Sequence, residues 1–199
     1  MTNRQQSFNE LNRRVVTTTS IRYGSATRLS SHHRFSQWVV TLVSVALIII
    51  PLFQAMKVPL KHSPQLLDAV EVLLAVIVLV YSLLLGNENY SGRAEKMLTC
   101  GLELGRLSRR IYPHLDKPHE QALYEELSEE YHDILEKYPN HDSVDYKLYR
   151  VSQPNEYYMN KFVYIFDWFS VKLEYTIGYW HYITVIVGVI ATLLSIFRL

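Results

Sequence analysis

The stretch 66-LLDAVEVLLAVIVLVYSLLLG-86 decides how the chain is read. The hydrocarbon core of a bilayer takes about 20 predominantly apolar residues of helix, and this stretch supplies them. It is predicted to span a membrane. Asp68 and Glu71 stand three residues apart near its outer end and therefore share a face. Carboxylates at membrane depth are costly and usually face a bundle interior or water. Ala75, Val78 and Ser82 continue that face at intervals of three or four, giving a wall that is acidic outside, apolar in the middle and weakly polar inside. Asp68, Glu71, Ala75, Val78 and Ser82 are therefore candidate pore-lining residues. A competing reading puts both carboxylates at headgroup level, where they cap the positive end of the helix. The residues alone leave the two readings open.

Two more apolar blocks flank this one, at about 35–56 and 176–197, and the segments between them are strongly charged. A mean hydropathy near zero conceals this clustering. The first block, FSQWVVTLVSVALIIIPLFQAM, carries Gln37, Thr41 and Ser44 as a polar stripe, Trp38 at an aromatic-belt position, and Pro51, which kinks or ends the helix. The link KVPLKHSP is short and holds Pro59 and Pro64, so the first two spans form an antiparallel hairpin. The last block carries Thr184, Gly188 and Thr192 at intervals of four, a small-residue stripe suited to close helix contact, with Arg198 at its outer end.

The formal net charge of +1 gives no reason to expect nucleic-acid binding, but the charge is unevenly placed. Arg4, Arg13, Arg14, Arg22, Arg28 and Arg34 precede the first span against the single acid Glu10, and Arg93, Lys96, Arg106, Arg109 and Arg110 follow the second. The positive-inside rule puts the N-terminus and the long middle segment in the cytoplasm. No cleaved signal peptide is expected, because the first apolar block starts late and no small-x-small site follows it. Cys100 is the only cysteine, which excludes an internal disulfide and suits a small core residue.

The predicted fold is all-α: an integral membrane protein with an N-terminal transmembrane hairpin, a cytoplasmic helical region and a third, C-terminal transmembrane helix. Its segments are a basic arm and interfacial helix at 1–34, the hairpin at 35–86, the cytoplasmic region at 87–175 and the last span at 176–199. Residues 1–18 read as a loose polar arm. From Thr19 a basic amphipathic helix is expected, its arginine heads meeting lipid phosphates, running on into the first span.

In the cytoplasmic region Tyr90, Ala94, Met97, Leu98, Gly101, Leu104, Ile111 and Leu115 mark one helix face, ended near Pro113 and Pro118. Leu123, Leu127, Tyr131, Ile134 and Tyr138 mark a second, whose outer side is rich in glutamate. The basic end of the first is expected beside the acidic start of the second. Asn140 and Asp142 suit a cap for the short helix after them; His141, Asp142 and Asp145 match no metal spacing. His32, His33, His114, His119 and His132 are scattered, so no metal site is expected. The aromatic segment 156-EYYMNKFVYIFDWFSVKLEY-175 reads either as an interfacial helix, with Lys161 and Lys172 towards phosphate, or as core packing against the hairpin.

Nucleotide-loop, hydrolase and zinc signatures are missing, and seven glycines leave little for phosphate cradles. No enzyme activity and no cofactor are expected.

The pre-membrane helix YGSATRLSSHHR, the tight hairpin, the flank NYSGRAEKMLTCGLELGRL and the later YHDILEKYPNHDSVDY together resemble the SLATT proteins, two-span effectors of bacterial conflict and anti-phage systems. The third span and the NHxxxDY string resemble their family 5. The resemblance covers residues 20–197 and rests on the joint order of these elements. It implies a homo-oligomeric pore-forming or membrane-disrupting effector in the bacterial inner membrane. Release by a sensor encoded nearby is also implied: a cyclic-nucleotide synthase, a SLOG-type protein or a reverse transcriptase. Tyr90, Arg93, Ala94, Glu95, Glu103, Asn140, His141, Asp145 and Tyr146 match the family pattern and are expected to be gating or structural residues rather than catalytic ones. A non-conducting membrane adaptor, anchoring a partner through its cytoplasmic helices, is the rival reading; a membrane-bound enzyme is the second.

Overall fold

The computed structural model describes residues 5–115, 120–157 and 160–197; Arg4, Pro118, His119 and Arg198 lie outside the described residues. All regular structure in that set is helical. Helix α1 spans Gln5–Ala55, α2 Pro64–Glu88 and α3 Tyr90–Ile111, which passes into a 3-10 turn at Tyr112–His114. Then come α4 at Gln121–Lys137, α5 at Ser143–Ser152, the single turn α6 at Pro154–Tyr157 and α7 at Lys161–Phe197.

Local chemistry explains the boundaries. Ser63 is the N-cap of α2, its side chain accepting the Leu66 N–H at 3.4 Å, and Pro64 fills the first position, where no N–H is needed. Asn89 ends α2 in the left-handed region (φ 44°, ψ 46°) and donates its N–H to Leu85 O, after which α3 begins at once. Asp142 is the N-cap of α5, and the Asp145 carboxylate accepts the Asp142 N–H at 3.2 Å. Pro51 does not end α1, which continues to Ala55.

The chain divides into two compact units. A polar unit comprises Met1–Ser30 with Ser91–Leu173, and an apolar unit comprises Ser31–Tyr90 with Glu174–Leu199.

In the polar unit Phe8, Leu11 and Val15 of α1, Cys100, Leu104, Leu107 and Ile111 of α3, and Leu127 and Ile134 of α4 form one core, each at most 8 % exposed. The loose arm expected over 1–18 is therefore corrected: from Gln5 the chain is helical, and Phe8, Leu11 and Val15 make a stripe that α3 and α4 bury. Three apolar side chains among asparagines and arginines carry weak periodicity, and only a tertiary partner makes them a core face. Cys100 lies in this core, where burial pushes its thiol up and away from the reactive thiolate. The ring of Tyr23 lies over Gly101, where an added Cβ would come within 2.8 Å of Cε1. The basic end of α3 does meet α4: Arg110 pairs with Glu126 at 2.9 Å and with Glu130.

In the apolar unit Val39, Val43, Ala46 and Ile50 of α1, Leu67 and Leu74 of α2, and Tyr182, Val189 and Ile196 of α7 form a second core. The spacing is four-three-four on α1 and seven on α2 and α7, the pattern of helices meeting along a seam. Of the expected contact stripe of the last span, only Thr192 is half-buried, beside Leu67 and Val70 of α2. Thr184 and Gly188 are exposed and nothing lies within 4 Å of a Cβ built on Gly188; Tyr182, Val189 and Ile196, which fill more space, make the contact.

Three helical stretches, in α1, α2 and α7, are long and apolar enough to cross a membrane. From Lys161 on, the aromatic segment and the last apolar block form a single 37-residue helix, because no proline interrupts them. Its first part does not join the polar core: Phe162 is 83 % exposed and Phe166 74 %, so core packing against the hairpin is not what the fold provides.

Candidate functional site

A carboxylate pair in the polar unit gathers four of the family-matched residues, Arg93, Asn140, His141 and Asp145. Arg28 on α1 reaches Asp145 with both arms of its fork, Nε to Oδ1 at 2.7 Å and Nη2 to Oδ2 at 3.0 Å, and also contacts Asp142. Arg93 on α3 donates to the same Asp142 at 3.2 Å. Asp145 is buried and the Arg28 side chain is 11 % exposed. Burial opposes the charge on Arg28, but hydrogen bonds and charge from Asp145 and Asp142 outweigh it and raise the guanidinium further. The arginine heads expected at lipid phosphates are thus corrected for Arg28, which is satisfied inside the protein, and for Arg22, which is 2 % exposed. His141 sits beside this cluster with Nδ1 on the Asp142 carbonyl at 3.1 Å, and Asn140 Oδ1 accepts the His141 N–H at 2.9 Å. Among the described residues no three histidine, cysteine, aspartate or glutamate side chains converge as a metal set.

Glu103 stands apart from that cluster. It accepts from Lys137 at 2.7 Å and Tyr138 at 2.8 Å, and these two bonds hold its carboxyl below the usual range. Ala94 is buried, while Glu95 and Tyr146 are exposed.

Tyr90 belongs to the apolar unit, where it meets a residue that sequence reasoning passed over. His32 is 7 % exposed, stacked on Tyr179 at 4.2 Å between centroids and on Tyr90 at 5.3 Å, with Nδ1 3.3 Å from the Tyr182 hydroxyl. Its polar flanks SSHHR hid this, since the aromatic partners lie on α2–α3 and α7. The only hint was the concentration of tyrosines at Tyr179 and Tyr182.

Along α2 the candidate wall is split. Asp68, Ala75 and Ser82 are exposed, whereas Val78 packs on the seam and Glu71 lies beside it. Ser63, not a carboxylate, caps this helix. Gln54 donates to Asp68 at 3.4 Å, and Glu71 Oε1 is buried with no hydrogen-bond partner among the described residues.

Fold and sites together define an all-α membrane protein whose polar unit holds one buried ion pair, Arg28–Asp145. The sequence profile of the SMODS and SLOG-associating 2TM effector domain family 5 matches residues 4–194, and the chain belongs to this family. Its description counts two spans; the matched range here holds three helices of spanning length. No curated protein and no solved structure matches the chain.

Proposed function

We propose that the chain is a membrane effector of a bacterial anti-phage, abortive-infection type system, assembling into a homo-oligomeric pore of the inner membrane. The family's association with SMODS and SLOG proteins supports a partner sensor as the trigger. One observation carries the pore reading: several polar residues of the spanning helices are on the outside of the protomer, while Ser36 is buried and Ser44, Glu71 and Thr192 are half-buried. Gln37 and Thr41 of α1, Asp68 and Ser82 of α2, and Thr184 of α7 are all exposed. Polar side chains in spanning segments face protein or water, so further copies around a water path would satisfy them. In this reading the N-terminus and residues 87–175 are cytoplasmic, and no catalytic step is assigned to the chain. The polar units hold neighbouring copies closed. Activation turns α2 about its axis, moves the apolar belt at Val78 off the water path and wets it.

An acidic ring favours cations, so Asp68→Ala with Glu71→Ala should lower cation selectivity, read as a reversal-potential shift in planar bilayers. Unchanged reversal potentials would remove both residues from the wall. Protein that stays monomeric in lipid and passes no current beside its activated partner would establish the adaptor instead.

A further inference from the structure

Arg22 presents a problem that Arg28, six residues further along the same helix, does not. A guanidinium stays charged at any accessible pH, and a buried charge without a counter-ion costs several kcal/mol. Arg22 is 2 % exposed, yet no carboxylate among the described residues pairs with it. Its Nη1 donates to the Pro139 carbonyl and, at 3.2 Å, to the Met97 thioether, a weak acceptor. Nε is buried with no partner, and Nη2 makes no hydrogen bond to the described residues. Ser25 Oγ, one turn on, is also buried and unpartnered.

Arg22 lines an open cavity of about 430 Å³ whose lining residues all belong to the polar unit, from α1, α4 and the segment leading to α5. Asn140 lines it too, and because its Oδ1 accepts the His141 N–H, its amide N–H groups are left to donate. The α4 part of the lining is flat or apolar: Tyr131 and His132, whose ring centroids are 5.5 Å apart, and Leu135. Thr18 and Tyr131 have hydroxyls engaged with each other at 3.0 Å, and they shape the wall without supplying new donors. Glu136, exposed, is the one carboxylate of the lining. The space falls within the usual range for small-ligand pockets and exceeds what a bare oxyanion fills.

We propose that this cavity is a binding site for a small phosphate ester, its phosphate on Arg22 and Asn140 and its organic body against Tyr131, His132 and Leu135. The anion supplies the counter-charge that the fold withholds from Arg22. The site stands whether or not the spanning helices conduct.

The test uses the full chain in nanodiscs of phosphatidylcholine, titrated at fixed ionic strength with inorganic phosphate, glycerol phosphate and phenyl phosphate. Melting temperature and equilibrium binding are followed. Saturable stabilisation is expected from all three, tightest for phenyl phosphate. Hydrogen bonds to a charged group contribute about 1.5–3 kcal/mol, so Arg22→Met should weaken binding by at least about ten-fold. Asn140→Ala, at an exposed position, should weaken binding while lowering the ligand-free melting temperature only slightly, by the lost His141 N–H bond, which keeps the test valid if R22M unfolds. Glu136→Gln should bind at least as well as wild type. Discs doped with phosphatidylglycerol separate the sources: saturation there without added solute supports the site and assigns its phosphate to a lipid headgroup. Absence of any saturable effect in both discs overturns the proposal. So does R22M lowering the melting temperature equally at every phosphate concentration, or E136Q destabilising the ligand-free protein, which would make Glu136 the counter-ion.

Discussion

The two units spend their apolar residues differently. In the polar unit Leu104, Leu107, Ile111 and Leu127 are at most 1 % exposed, and charged groups close over them in pairs. In the apolar unit α2 alone leaves Leu66, Val72, Leu73, Val76, Leu79, Val80, Leu83 and Leu84 roughly half exposed or more. At about 25 cal/mol per Å² each such side chain represents about 1 kcal/mol of unburied surface, so the eight together approach the whole stability of a typical domain, about 5–15 kcal/mol. Water is not the solvent that helix is built for. The core of the polar unit closes within one copy, with the aromatic start of α7 left outside it, whereas the apolar unit leaves most of the apolar surface of α2 uncovered.

That contrast can be broken most forcefully at the buried ion pair. Arg28→Ala or Asp145→Ala leaves a buried charge without its partner and should cost about 3–5 kcal/mol, read by thermal denaturation of the purified protein. Arg28→Met with Asp145→Leu should regain most of that loss. If the single variants melt with wild type, the pair does not fasten the unit.

Phe8→Ala should cost about 3–5 kcal/mol, since it opens a cavity in the same core. Leu79→Ala, at 61 % exposure, should stay within about 0.5 kcal/mol of wild type in detergent. In lipid the same substitution should change the oligomer distribution by cross-linking; a large detergent effect would mean that Leu79 has a partner inside the protomer.

The smallest effect is set by acid. Glu10 is held down to about 2 by hydrogen bonds from Arg13 and Arg14, and Glu103 is held low by Lys137 and Tyr138. A carboxyl depressed in the folded state binds fewer protons than its unfolded counterpart. Its stabilisation is present above the ordinary value of 4.5 and is lost as pH falls through about 2 for Glu10. Both pairs are on the surface, so the slope of melting temperature between these limits should be shallow, flattened by added salt, and flatter still in Glu10→Gln.

The spans were legible because spanning length and clustering are local properties, and so was the α3–α4 pairing, through its helical periodicity and opposed charges. What escaped depended on distance along the chain. Arg28 finds Asp145 across 117 residues, and His32 finds Tyr182 across 150. Nothing in SSHHR announces an aromatic nest. The early start of α1 was hidden for the same reason: Phe8, Leu11 and Val15 are too few to declare a face until α3 and α4 cover them. Asp142 as a cap was readable because capping reaches only three residues.

The loop between α1 and α2 carries one more implication. The Lys61 N–H reaches the Ile196 carbonyl at 3.4 Å and His62 Nε2 lies 2.9 Å from Ser195 Oγ, so residues 61–62 are tied down by the far end of α7. Synthesis makes that loop early and its fastener more than a hundred residues later, a separation of 133 for the histidine pair. During biogenesis the hairpin therefore inserts with a slack loop, and the ribosome must finish Ile196 before it can be latched. A protease with access to this loop should nick it in chains stopped before Ser195 and should find it closed in the finished chain.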